Sequence, residues 1–160
     1  MLTTIQKFVP SLRKRHSEAV NPLRMKTILY VEDDEHDVFF LRRAFRTHAP
    51  ELRLENVTSV SDAIEYLNGA GQFANRKEFP LPDLVVSDVT IPGGSGFELV
   101  RWIRDHSRVK KIPVILLTGT AQELQVEKAQ ASGADFCIEK STDFKELLAK
   151  IQILLEPRAN

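Results

Sequence analysis

The chain has 160 residues, in which 22 Lys and Arg balance 22 Asp and Glu to a formal net charge of zero. That length suits one domain whose core is large enough to fold alone, and the balance gives no overall bias towards nucleic acid. No apolar run reaches the roughly 18 residues that span a bilayer, Pro10 and the basic cluster behind it interrupt any secretory h-region, and the lone Cys137 excludes an internal disulfide and suits a reducing cytosol.

Charge is spread unevenly. Residues 1–25 carry Lys7, Arg13, Lys14, Arg15 and Arg24 against Glu18 alone, so the remainder is net acidic. A basic arm on an acidic domain could touch a membrane surface or nucleic acid, but the segment reads first as a flexible, solvated extension. Met25, followed directly by a strand-like run that turns apolar at Ile28, reads as a natural start. That run predicts a first strand over 27–31. Val38, Leu41 and Phe45 at helical spacing predict a helix over 35–48, ended by Pro50. A second strand is expected over 53–57, then a helix capped by Ser59 or Ser61 with Ala63, Ile64 and Leu67 on its apolar side. Gly69, Gly71, Pro80 and Pro82 make 68–82 a loop.

The third strand, 84–88, ends in Asp88. A turn over 91–96 leads into a helix with Phe97, Leu99, Val100, Trp102 and Ile103. A fourth strand is expected over 112–117, a helix over 121–132 stopped by Gly133, and a fifth strand over 135–139. Cys137 in that strand reads as a buried structural thiol. The last helix is expected after Ser141 or Thr142, with Phe144, Leu147, Leu148, Ile151 and Leu154 as its stripe.

Five such units with apolar strands predict a doubly wound α/β fold, a five-stranded parallel sheet with helices on both faces. Right-handed crossovers favour the strand order 2-1-3-4-5. Ligands of these sheets bind beyond the carboxyl ends of the strands, beside strand one. Glu32, Asp33, Asp88, Thr118 and Lys140 all fall at or just past those ends. Clustered carboxylates repel one another unless a hard cation sits among them, and a nearby ammonium suits a transferred phosphoryl group.

Each residue also has an ordinary reading. Asp34 caps the first helix, Asp88 is a turn residue, Thr118 a β-former and Lys140 a surface charge. Glu35 and His36 face outwards rather than bind zinc. The run Gly93-Gly94-Ser95-Gly96 lacks the lysine of a phosphate loop and reads as a turn. The joint pattern, not any single residue, outweighs these readings.

Over about 26–155 the pattern Glu32-Asp33, Asp88, Thr118, Lys140 resembles the receiver domain of two-component response regulators. The resemblance implies a flavodoxin-like receiver over 26–156, flanked by the 1–25 extension and a 157–160 tail. It makes Asp88 the phosphoacceptor, a carboxylate nucleophile that forms an aspartyl phosphate. It gives Mg2+ the ligands Asp33, Asp88 and the backbone carbonyl of Thr90, with Glu32 acting through water. Lys140 would pair with a phosphate oxygen and Thr118 would move its hydroxyl onto the phosphate.

The Lys140-Ser141 pair, the loop around Phe73-Ala74-Asn75 and Pro80-Leu81-Pro82-Asp83 resemble single-domain receivers that serve phytochrome-type kinases. The implied partner is a sensor histidine kinase, of phytochrome type in that branch, or a histidine phosphotransfer protein. A homodimer through helix four, strand five and helix five is implied too. The expected location is cytoplasmic. No DNA-binding or effector module follows the last helix, so output is expected through protein contacts, without direct nucleic-acid binding.

Two positions depart from the family pattern. Ser141 stands where most receivers have proline, and Cys137 where they usually place an aromatic residue. Phe136 should point to the other face of the strand. The usual coupling of hydroxyl and aromatic rotamer is therefore not expected unchanged. Among rivals, a dehalogenase-type hydrolase would need an aspartate at Thr90, and a flavin binder a hydroxyl-rich loop where the acids stand. No enzymatic turnover is expected. The alternative retained is a pseudo-receiver that docks partners without phosphorylation.

Overall fold

The computed structural model describes residues 24–120 and 122–157, so the basic extension over 1–23 and the end of the expected tail, 158–160, lie outside the described residues. The sheet comprises β1 (Lys26–Val31), β2 (Leu52–Val57), β3 (Leu84–Asp88), β4 (Val114–Thr118) and β5 (Phe136–Glu139). All neighbours are parallel, in the expected order β2-β1-β3-β4-β5. Val31 lies beside Val57 and Ser87, Asp88 beside Leu117, and Thr118 beside Glu139. The carboxyl ends of all five strands therefore share one edge.

The helices are α1 (Glu35–His48), α2 (Val60–Asn68), α3 (Gly96–Asp105), α4 (Glu123–Ser132) and α5 (Lys145–Leu155). Alternation along the strands sends Leu29, Val31, Val85, Val114 and Leu116 to one core with residues of α2, α3 and α4. Ile28, Tyr30, Leu84, Val86, Ile115 and Leu117 enter the other core with Leu41 and Phe45 of α1 and Leu147, Ile151 and Leu154 of α5. Leu41 and Ile151 are buried to 0% and 1% exposure, and each such burial stabilises by about 1.5–3 kcal/mol. No helix among the described residues is long and apolar enough to cross a membrane.

Caps fix several helix starts. Asp34 Oδ1 accepts the backbone N–H groups of His36 and Asp37 at 2.8 and 3.1 Å, the expected capping role. Ser59, not Ser61, caps α2 through the Asp62 N–H at 3.0 Å. Ser95 and Glu98 form a reciprocal capping box on α3.

Some boundaries move from the sequence reading. β4 begins at Val114 and includes Thr118, because Ile112 closes a turn onto the Val109 carbonyl at 2.9 Å and Pro113 has no N–H to give the ladder. α4 begins at Glu123 rather than 121. α5 begins only at Lys145, since Ser141 Oγ takes the Asp143 N–H and Asp143 Oδ1 the Lys145 N–H, at 3.1 and 3.0 Å. These successive side-chain turns hold the backbone out of helix.

The 68–82 loop contains a turn of 3-10 helix, Gly71–Phe73. Arg76 holds the loop there by donating to the carbonyls of Tyr66 and Leu67, both at 2.8 Å. The turn before α3 forms an unexpected two-residue antiparallel ladder, Thr90–Ile91 with Gly94–Ser95. Gly96 ends it, and a Cβ there would stand 2.5 Å from the Asp88 carbonyl oxygen. Only glycine lets the start of α3 pack this closely against the end of β3.

Candidate functional site

Every strand except β2, which ends in the apolar Val57, delivers one polar side chain to the common edge. Glu32 follows β1, its N–H extending the β1–β2 pairing to the Val57 carbonyl at 3.0 Å. Asp88 closes β3 and Thr118 closes β4. Lys140 follows β5 and is fixed by its own N–H, which donates to the Thr118 carbonyl at 2.7 Å. The placement is a direct product of register.

The Lys140 ammonium is the centre of the cluster. Nζ donates to Glu32 Oε2 and to Asp37 Oδ2, each at 2.7 Å, and pairs with Asp88 Oδ2 at 2.7 Å. Burial would depress its pKa, but the hydrogen bonds to Asp37, Asp88 and Glu32 outweigh that and raise it above the ordinary lysine value. Lys140 therefore stays charged.

Glu32 is 1% exposed. Its Oε1 accepts the Asp34 N–H at 3.0 Å, and Tyr30 Oη donates to Oε2 at 3.3 Å. Burial raises the Glu32 pKa against the opposing pull of the Lys140 and Asp34 hydrogen bonds. Burial, reinforced by the Glu32 charge, also raises the Tyr30 phenol. Asp88 is 9% exposed, and its Oδ1 accepts the Thr90 N–H at 3.2 Å. One carboxylate oxygen is thus tied to the ammonium and the other to the following backbone.

Glu32, Asp88 and Lys140 meet as the sequence predicts. Asp33 and Thr118 do not join their bonds. Asp33 is exposed and makes no ion pair among the described residues. Thr118 is 4% exposed, and its hydroxyl donates to the Thr120 carbonyl at 2.9 Å while accepting the Thr120 N–H at 3.3 Å. Asp37 is the residue that sequence reasoning missed. Its signal was its position in the first turn of a helix whose start abuts the acidic run.

No group of three or more His, Cys, Asp or Glu among the described residues is spaced to hold a metal ion. The chemistry of the donor set nonetheless fits a hard divalent cation. Three carboxylates face a single ammonium, which leaves negative charge uncompensated, and every free donor is an oxygen.

At the departures from the family pattern, Phe136 packs on the α1–α5 side while Cys137 packs half-buried on the opposite core. Burial pushes the Cys137 thiol up to about 11. Its thiolate fraction at mildly alkaline pH falls accordingly, so disulfide-exchange labelling of the folded chain is expected about a hundredfold slower than in denaturant. Equal rates in a stopped-flow thiol assay would show an open, unperturbed thiol.

The sequence model of the response regulator receiver domain matches residues 28–152. The chain belongs to that family, and it is a receiver-domain response regulator of two-component signalling. Response regulator Rcp1 of Synechocystis is 27% identical over 136 residues, covering 85% of this chain and 89% of Rcp1. Hybrid signal transduction histidine kinase D of Dictyostelium discoideum is 28% identical over 151 residues, 92% of this chain but only 9% of the kinase. Against the phosphate regulon regulator PhoB of Escherichia coli the match spans 35% of the relative's length.

Among solved structures, the bacteriophytochrome response regulator RtBRR superposes with a TM-score of 0.73 at 29% identity, covering 86% of this chain and 82% of RtBRR. The Mn2+-bound form of Rcp1 superposes with a TM-score of 0.67 at 26% identity, covering 81% and 91% respectively.

Proposed function

We propose that the chain is a phosphorylation-driven switch in which Asp88 accepts a phosphoryl group. The observation that carries this reading is the 2.7 Å pairing of Asp88 Oδ2 with a Lys140 ammonium anchored on buried Glu32. Asp88 is the nucleophile. Its carboxylate oxygen forms the new bond to phosphorus as the donor's bond breaks, and Lys140 then takes a phosphoryl oxygen in place of the carboxylate.

Asp33, Asp88, the Thr90 carbonyl and, through water, Glu32 would hold Mg2+, which offsets negative charge on the acceptor and the incoming oxygens. Support for a divalent ion comes from the charge imbalance of the cluster and from Mn2+ binding by Rcp1. Thr118 is the reporter. To reach the phosphate its hydroxyl exchanges the bond to Thr120, which moves the connection between β4 and α4 and so alters the docking surface.

The phosphoryl donor is a histidine kinase or a histidine phosphotransfer protein. A kinase of phytochrome type is favoured by the likeness to RtBRR. Residues 26–156 form the switching unit, with 1–25 a dispensable extension and 157–160 a tail, acting in the cytoplasm. A homodimer through α4, β5 and α5 is supported by exposed aliphatic side chains on two of those elements, Leu124 and Ile153.

Treatment with a small acyl phosphate and Mg2+ is expected to add the mass of one phosphoryl group per chain, with no turnover of a generic phosphomonoester. Asp33→Ala is expected to weaken Mg2+ binding by about tenfold or more in calorimetric titration. An unchanged affinity would remove Asp33 from the metal shell. A chain that takes up no phosphoryl group under any of these conditions would be the phosphorylation-independent docking module.

A further inference from the structure

An ammonium has three N–H donors, and those of Lys140 are divided among three carboxylates, each at 2.7 Å. Two of the three have roles already. Glu32 is the buried anchor, and Asp88 is the acceptor in the reading proposed above, on which this inference rests. Asp37 has neither role. It sits in the first turn of α1, set there by the bond from its backbone N–H to the Asp34 cap, and its side chain is 42% exposed. Its contact with Lys140 is a charge-assisted hydrogen bond of 2.7 Å.

We propose that Asp37 is a positioning residue that competes with a phosphoryl group on Asp88 for the Lys140 ammonium, and so limits how strongly the phosphorylated state is held. Two effects act in the same direction. The Asp37 carboxylate occupies a donor that a second phosphoryl oxygen would otherwise use. Its charge also lies on the same ammonium as Asp88, so it repels the added charge of about −1.5 to −2 that phosphorylation brings. Glu32 cannot set this balance, because it is buried and anchors Lys140 in either state. The half-exposed Asp37 carboxylate on α1 can, and it ties the occupancy of the site to the first helix.

Beryllium fluoride with Mg2+, a tetrahedral stand-in for a phosphoryl group, can be titrated into the full chain and read by fluorine NMR. Asp37→Asn keeps the shape and loses the charge. It is expected to half-saturate at a concentration at least about fivefold lower than wild type, with the ratio shrinking as salt rises. Asp37→Glu restores the charge and is expected to return towards wild type. Equal or weaker binding by the Asn variant overturns the proposal, as does a Glu variant that behaves like the Asn one. A wild-type chain that binds no fluoride at all instead fells the acceptor reading, and this inference with it.

Discussion

Asp88→Asn is expected to reduce phosphoryl uptake from a small acyl phosphate by at least about a hundredfold, to background, because the amide has no nucleophilic carboxylate. The fold should survive. Asn fills the same space at the end of β3, and its side-chain oxygen can still accept the Thr90 N–H that Asp88 Oδ1 accepts at 3.2 Å. Removing one of three carboxylates from around a single ammonium also relieves like-charge repulsion, so the denaturation midpoint should stay level or rise. Glu32 and Asp37 still hold Lys140. Loss of uptake with intact stability is therefore the signature of an acceptor. Uptake at the wild-type rate would move the nucleophile elsewhere.

Lys140→Ala is expected to destabilise the chain substantially at neutral pH. Removing one partner of a buried pair costs about 3–5 kcal/mol, since the other charge is left without compensation. Here Glu32 is 1% exposed while the Lys140 side chain is 27% exposed. Water can partly replace the ammonium, so a loss of about 2–3 kcal/mol is expected.

The pH dependence has a definite sign. Glu32 is an acid whose folded pKa is raised, so its contribution falls as pH rises above the ordinary carboxyl value. Without Lys140 one of the bonds opposing that rise is gone. The raised Lys140 pKa contributes stability to wild type that is fully present below the ordinary lysine value and is lost only as pH rises through the raised one. The gap between variant and wild type should therefore be widest near neutral pH and narrow as Glu32 is protonated on acidification. Denaturant titrations across that range measure it. A gap that is absent at neutrality, or that widens in acid, would contradict the assigned charge states.

Much of this site was legible because strand ends are legible. Leu84–Asp88 is apolar until its last two residues, and Glu35–His48 lies between an Asp cap and Ala49-Pro50. Once five such strands are parallel, the residues closing them must gather at one edge, as Glu32, Asp88 and Lys140 do. Asp37 was hidden because its role depends on the direction in which α1 leaves the sheet, which periodicity does not encode. The ladder of Thr90–Ile91 with Gly94–Ser95 is too short to show alternation, and it depends on the positive φ of Gly93 and Gly94, 82° and 152°.

The start of α5 was misplaced for a different reason. Ser141 and Asp143 are both competent caps, and each closes a turn of its own before the helix begins. Asp33 illustrates the remaining gap. The family resemblance implies a ligand at this position, and the residue is exposed and outside the Lys140 cluster; its place in the sequence does not encode which way the side chain turns.

Locating the phosphoryl group after acyl-phosphate treatment tests the central claim most directly. Borohydride reduces an aspartyl phosphate to homoserine, and peptide mass spectrometry then identifies the converted residue. Conversion is expected at position 88 alone, and is expected to vanish when Mg2+ is chelated. Conversion at Asp33, Asp34 or Asp37 instead, or labelling of the chain with none of it on an aspartate, would contradict the account.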